Sequence, residues 1–411
     1  MFVVFVIAEV IFLNVIIVND YSYINGGASA IAIETAIALA ERGHKVIFFS
    51  AVAEDNDILK GNSKVEIVCT KQYDILNNPN RLEAIVQGLW NIKAAKLFKK
   101  VLENYSPKNT VIHVHGLQKA ISASIVPIAK TKGFKIVYHM HDYGMVCPNL
   151  GLFNYVKKAI CRYKPMSFSC IRCNCDSRCY KHKVWRVIRQ YVQKMCGMPE
   201  LFDGIVYVSK FSQNLLSKYV GTGKVIYNPI LIEKRHRVKA EENKYALYIG
   251  RLSPEKNPMV LAKVAKKLNI PVIFIGDGIC RNEIKNLNPN AICTGWLDKS
   301  EMQKYIDKAR FFVFPSLLYE TQGLVVAEAM AYGIPVISSD NTAAMDFINV
   351  GVNGLSFTPN NVASLETAIQ RMSDDEYVAY LGENAYKGTF QSINNYIKEI
   401  EQYYFEVLEK V

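Results

Sequence analysis

The stretch PSLLYETQGLVVAEAMAYGIPVISSD, Pro315–Asp340, decides the fold because it holds one whole passage between two strands. The run FFVFP just before and into it reads as a buried strand, and PVIS at its end reads as the next one. Between them the spacing predicts a helix that starts near Gly323 and ends at Gly333, a residue suited to the left-handed position after a helix. Strand, glycine turn, short helix and second apolar run make one unit of a parallel sheet. Two carboxylates bracket the turn: Glu320 precedes the helix and Glu328 lies about 7.5 Å inside it along the axis. The helix start between them exposes unpaired N–H groups and the positive end of the dipole, which is a place for an anion.

Working outward, the same alternation recurs. LNVIIVND, KVIFFS, TVIHVH, KIVYHM and IVYVS are strand-like runs in the first half, and YALYIG, PVIFIG, FFVFP and PVIS in the second. The class is therefore α/β. The series restarts after KVIYNPI, where the charged stretch from Glu233 to Lys244 leads into a fresh strand at Tyr245, so a boundary is expected near Asn228 and Pro229. The expected organisation is a first domain over 1–228, a second over 229–375, and closing helices over 376–411 that pack across the boundary. Two such domains imply a cleft, and ligands of open α/β sheets bind at the carboxyl ends of the strands.

Carboxylates in contact with an anion would repel it, so Glu320 and Glu328 suit hydroxyls on either side of one. A nucleotide diphosphate sugar offers that series: sugar hydroxyls, two phosphates, ribose hydroxyls. The plainer alternative has Glu320 favouring the helix dipole and Glu328 facing solvent. Positive charge for a diphosphate is available in GRLSPEKN, where Gly250 ends a strand, Arg251 offers a bidentate guanidinium and Lys256 an ammonium ahead of a helix at Asn257-Pro258. Gly276 and Gly278 of FIGDG form a further glycine turn where backbone can approach a nucleotide.

These residues together resemble the donor half of the family 4 glycosyltransferases, retaining enzymes of GT-B fold marked by two glutamates separated by seven residues. NDYSYINGGAS, VIHVHG, VYHMHDY and VIYNP bring the first domain into the resemblance. It implies two Rossmann-like doubly wound domains facing each other across a cleft. It implies further that Arg251 and Lys256 bind the donor diphosphate, Glu328 the ribose and Glu320 the transferred sugar, with the amides of Gly323 and Leu324 near the phosphate. Gly26 and Gly27 would approach the diphosphate from the opposite wall. His141 would contact the donor sugar or the reacting hydroxyl, with His115 and Asp142 as further cleft residues. The implied mechanism is front-face displacement, needing neither an enzymic nucleophile nor a metal, from a UDP- or GDP-sugar to a lipid-linked saccharide in surface or exopolysaccharide synthesis. One departure leaves donor identity open: Thr342, Ala343 and Asp346 stand where relatives commonly carry two glycines and a glutamate.

Charge is divided unevenly along the 411 residues. Residues 1–230 hold 29 Lys+Arg against 15 Asp+Glu and the rest 20 against 22, so the whole basic excess lies in the first half. Eleven of those cations fall between Tyr155 and Lys194, with Asp176 the single acid among them. Attraction to an anionic membrane surface is one reading and a solvated basic face the other. The opening MFVVFVIAEVIFLNVIIVND is too short to cross a bilayer once Leu13–Val18 is taken as a strand, and it lacks a basic leader and a cleavage site. An apolar extension resting on a membrane, or an upstream start, remains. A cytoplasmic protein, peripheral on the membrane face, is expected.

Seven of ten cysteines lie between Cys147 and Cys196, in a Cys-rich basic insertion spanning about 147–196. Cys147, Cys161, Cys170 and Cys175, with Cys173 and Cys179 as substitutes, offer four thiolates for a structural zinc, weighed against free thiols. Asp55–Asp57, DND, resembles a metal-binding DxD but reads as chance. A sugar-nucleotide epimerase, a catalytically dead sensor and a zinc-containing nucleic-acid-binding protein are the rival readings. The last gives Glu320 and Glu328 no purpose, so no nucleic-acid partner is expected.

Overall fold

The computed structural model describes residues 12–54, 58–232 and 237–410. The apolar opening up to residue 11, the DND triplet and the start of the charged boundary stretch lie outside the described residues.

The apolar runs become two sheets. The first contains β1 (Asn14–Val18), β2 (Lys45–Ser50), β3 (Val65–Cys69), β4 (Thr110–Val114) and β5 (Lys135–Met140). A two-stranded hairpin, β6 (Phe153–Asn154) and β7 (Ala159–Ile160), interrupts it before β8 (Gly204–Tyr207) and β9 (Lys224–Val225). The second sheet contains β10 (Tyr245–Ile249), β11 (Val272–Ile275), β12 (Ile292–Gly295), β13 (Ala309–Phe314), β14 (Val336–Ser339) and β15 (Gly354–Phe357). Their orders are β3-β2-β1-β4-β5-β8-β9 and β12-β11-β10-β13-β14-β15, with every pairing parallel.

In each sheet the chain winds outward from a central strand, then returns to wind the other way, so the switch points fall between β1 and β4 and between β10 and β13. Loops diverge at such points and leave a crevice. The loops leaving these four strands carry Gly26, His115, Gly250-Arg251 and Glu320–Gly323, so the topology gathers the sequence motifs at two crevices.

Aliphatic side chains from both faces of each sheet are buried under helices, as the near-continuous apolar strands require. The last two helices divide between the domains. Helix Asp375–Lys387 packs Val378 and Leu381 against the second sheet's core, and helix Ile393–Glu409 packs Tyr396, Ile400, Tyr404 and Val407 under the first. The two crossings of the boundary are tied together where Ile230 N–H donates to the Gln391 carbonyl at 3.0 Å.

Candidate active site

The loop between Pro315 and Gly323 leads into a helix as the sequence indicates. Gly323 takes φ 78°, a left-handed conformation, and caps helix Leu324–Ala331 without any side-chain cap, so the first amides of that helix stay open. Before it, Glu320 Oε1 accepts hydrogen bonds from Lys256 Nζ at 2.5 Å and Ser316 Oγ at 2.7 Å. Lys256 reaches it from a single turn, Pro254–Lys256, after which Asn257 turns the chain into helix Pro258–Lys267. Arg251 is exposed beside them and pairs with no carboxylate among the described residues.

Glu328 does not face solvent, which overturns the plainer reading of that residue. It is half-buried in a cavity of about 500 Å³ whose walls include Leu247, Ile249, Met302 and Val325, with Lys299 on its rim. Burial pushes its carboxyl up to about 7, against a smaller downward pull from Lys299.

The glycines divide by role. Gly26 has φ 134° and open space where a side chain would stand, at the start of helix Gly27–Glu41, leaving room for a ligand against the backbone. Gly276 and Gly278 are required by packing: an added Cβ would fall 2.1 Å from the Gly250 carbonyl oxygen and 2.3 Å from that of Leu252. The close backbone approach anticipated there is one loop against another.

The first domain grips the same loop residue by residue. Glu320 accepts from Tyr143 OH at 3.3 Å through its backbone carbonyl. Thr321 donates through Oγ1 to the His141 carbonyl at 3.0 Å and accepts from Ser209 Oγ through its own carbonyl. Gln322 makes a pair of 3.0 Å bonds with the backbone N–H and C=O of Asn228. Asp346 accepts from Phe211 N–H at 3.2 Å and Tyr227 OH at 3.0 Å, a further tie between domains. Ser316, Tyr143, Ser209 and Gln322 carry no signal in the sequence, and Asn228 stands out there only as a boundary.

Four histidines form a ladder under the cleft wall, because HVH and HMH, running off the ends of β4 and β5, each place two side chains on one sheet face. His139 Nε2 donates to Asn228 Oδ1 at 3.0 Å, so neutral His139 accepts at Nδ1 from His113 Nε2 at 3.1 Å, and His113 Nδ1 accepts from Tyr404 OH at 2.7 Å. In the second rung His115 Nδ1 lies 2.9 Å from His141 Nε2, and His115 Nε2 is buried without a partner. Burial pushes His113 and His141 down to about 3 and holds His115 and His139 well below the usual histidine range, so all four rings are neutral near pH 7. Of the expected cleft residues, His141 reaches the crevice, while His115 stands behind it and orients its ring. Asp142 accepts from Gly144 N–H at 2.7 Å, and its carboxyl is raised by burial.

The cysteines are all free. Among the described residues the only group of three or more His, Cys, Asp or Glu with ligand atoms within 4.8 Å of one another is His113, His115 and His139. Cys147, Cys161, Cys170 and Cys175 are therefore not brought to the mutual spacing of metal ligands. The fully buried Lys183 side chain stands among them, with Nζ donating to Cys170 Sγ at 3.6 Å. An ammonium in that place competes with a cation, and the set as arranged does not fit zinc.

Two doubly wound domains joined across a crevice, with an anion-ready helix start between two glutamates, define the GT-B class of fold. The chain belongs to glycosyltransferase family 4: the model of that family matches residues 25–234, and the model described as glycosyl transferases group 1 matches residues 231–388. An uncharacterised glycosyltransferase of Methanocaldococcus jannaschii is 29% identical over 182 residues, 41% of this chain and 46% of the relative. The UDP-Gal:alpha-D-GlcNAc-diphosphoundecaprenol alpha-1,3-galactosyltransferase of Escherichia coli is 28% identical over 150 residues, 33% of this chain and 38% of that one. The chain thus spans less than half the length of these two relatives. Anabaena HepE in complex with UDP shares the fold with a TM-score of 0.67 at 16% identity, covering 96% of this chain and 100% of HepE.

Proposed function

We propose that the protein is a retaining glycosyltransferase that moves a sugar from a nucleotide diphosphate sugar to a lipid-linked saccharide in surface polysaccharide synthesis, working at the cytoplasmic face of a membrane. One observation carries the reading: at the carboxyl end of β13, an uncapped helix start separates the Lys256–Glu320 pair from the pocketed Glu328. The solved HepE complex with UDP and the E. coli relative, whose name gives a UDP-sugar donor and a diphosphoundecaprenol-linked acceptor, support donor and acceptor class.

In this reading the ribose hydroxyls donate to Glu328, the diphosphate rests on the amides of Gly323 and Leu324, and Glu320 receives hydroxyls of the sugar. As the sugar–phosphate bond lengthens, negative charge grows on the departing diphosphate. Arg251, Lys256 and the helix start stabilise that charge, and fixed donors of this kind supply the largest single term in many such reactions. The incoming hydroxyl attacks from the face the phosphate leaves, and the phosphate oxygen takes its proton. Neutral His141, held by His115 at one nitrogen, orients the sugar or the acceptor hydroxyl.

The test is to supply the full chain with α-configured UDP- and GDP-sugars and a short-chain lipid diphosphate saccharide, then read the new linkage by NMR. An α-linked product is expected. A β-linked product overturns retention, and consumption of no donor overturns the transferase reading.

A further inference from the structure

Two helices of the first domain carry their apolar residues outward. Helix Tyr180–Met195 buries Lys183, Arg189, Gln190 and Gln193 with Val187 among them, and exposes Tyr180, Val184, Ile188, Tyr191 and Met195, the last by 87%. Steps of three and four residues place those five on one face. Helix Arg81–Leu89 behaves alike, burying Ala84, Gln87 and Gly88 while exposing Leu82 by 77% together with Ile85 and Val86. The inner polar groups fix this orientation. Gln87 Nε2 donates to the Tyr73 carbonyl at 2.8 Å, Gln190 Nε2 to that of Met145 at 2.8 Å, and Arg189 Nη1 to that of Gln118 at 3.1 Å.

The helices lie side by side. Trp185 Nε1 donates to the Ile85 carbonyl at 3.3 Å, and Gly88 leaves space for the Trp185 ring. Beside that contact opens a cavity of about 330 Å³ with walls of Ile75, Leu76, Ile85 and Trp185 and cations at Arg81, Arg178 and Lys181. Contiguous outward apolar residues on this scale mark an interaction site.

Charge selects the partner. Glu83 is the only acid on either helix, and Arg172, Arg178, Lys181 and Lys194 are exposed around the stripes. A second copy of the chain would bring like charges together, whereas an anionic bilayer meets both features at once. We infer that this two-helix face docks on an anionic membrane, with the apolar stripes entering the boundary between headgroups and acyl chains and the cations holding the headgroups. On the reading of a lipid-borne acceptor, on which this rests, the placement has a purpose: Gln118 and Lys119 line the cavity and belong to the loop after β4 that carries His115, so the docked face adjoins the acceptor side of the cleft.

Vesicle flotation of the full chain tests it, with phosphatidylcholine vesicles with and without phosphatidylglycerol. Wild type is compared with Ile188→Ser/Met195→Ser, Leu82→Ser/Val86→Ser and Lys181→Glu/Lys194→Glu, all exposed positions. Wild type is expected to bind the anionic vesicles and to keep a residual fraction at high salt. The charge variant is expected to lose about fivefold in partitioning for each cation removed. Both serine variants should lose the residual fraction. Serine variants that bind like wild type overturn insertion, and a wild type that floats with neither vesicle overturns docking. A wild-type dimer that the serine variants dissociate, without vesicle binding, gives the face to a second copy and overturns the inference as well. The nucleotide-induced rise in melting temperature should be unchanged in every variant, which separates failure here from failure of the donor reading.

Discussion

Glu328 stands half-buried among apolar walls, and burial raises its carboxyl to about 7. The folded chain therefore holds this proton more tightly than the unfolded chain does. Its contribution to stability is fully present below the ordinary value of 4.5 and is lost as pH rises through about 7. Glu328→Gln should accordingly gain melting temperature over wild type as pH rises from 4.5 to 8; parallel curves in a pH series of thermal melts would count against a buried carboxylate. On the proposed reading ribose hydroxyls donate to the ionised form, so wild-type nucleotide affinity should climb across the same interval. Lys256→Ala removes the ammonium that bonds Glu320 in the structure and, on the proposed reading, the phosphate, and should weaken nucleoside diphosphate binding ten- to hundredfold, about 1.5–3 kcal/mol, in calorimetric titration. Glu320, Gly323 and Glu328 were legible because one short peptide carries all three. Gln322 was not, because its partner Asn228 lies 94 positions away and no local pattern announces such a contact.

At the scale of elements, the helix start at Gly323 depends on a backbone that a side chain resists. Gly323→Ala would force φ 78° on an L-residue and set its Cβ 3.1 Å from the Cβ of Ala344. A loss of about 1–2 kcal/mol in stability is expected by denaturant unfolding, with weaker donor binding as the amides shift. The strands and the turn glycines could be read because parallel strands buried on both faces leave continuous apolar runs. The two outward-facing helices could not. A stripe at helical spacing ordinarily marks the buried face, and only the polar contacts of Gln87, Arg189 and Gln190, made to distant loops, reverse it. The cysteine spacing left four thiolates and free thiols both open, and Lys183, eight residues beyond Cys175, stands among them with Nζ on Cys170 Sγ, a contact no spacing announces.

Over the whole molecule, three consecutive residues, Glu320–Gln322, bond the second domain to the first. Gln322→Ala removes both bonds to Asn228 and should raise KM for the donor by up to about thirtyfold, at about 1 kcal/mol per bond, with little change in melting temperature. A drop in melting temperature without a change in KM would make the contact structural only. The two-domain plan was legible because the strand series restarts near Tyr245, while the degree of closure was not, since it rests on side chains from opposite domains. The central claim is that one ligand is gripped at both ends, by Glu320 at the sugar and Glu328 at the ribose. The direct measurement is calorimetric titration of UDP, GDP, ADP and their sugars into wild type, Glu320→Ala and Glu328→Ala. The account expects one base to be selected, Glu328→Ala to weaken the free diphosphate and its sugar alike, and Glu320→Ala to weaken only the sugar nucleotide. Equal binding by all three proteins, or binding by none, would contradict it.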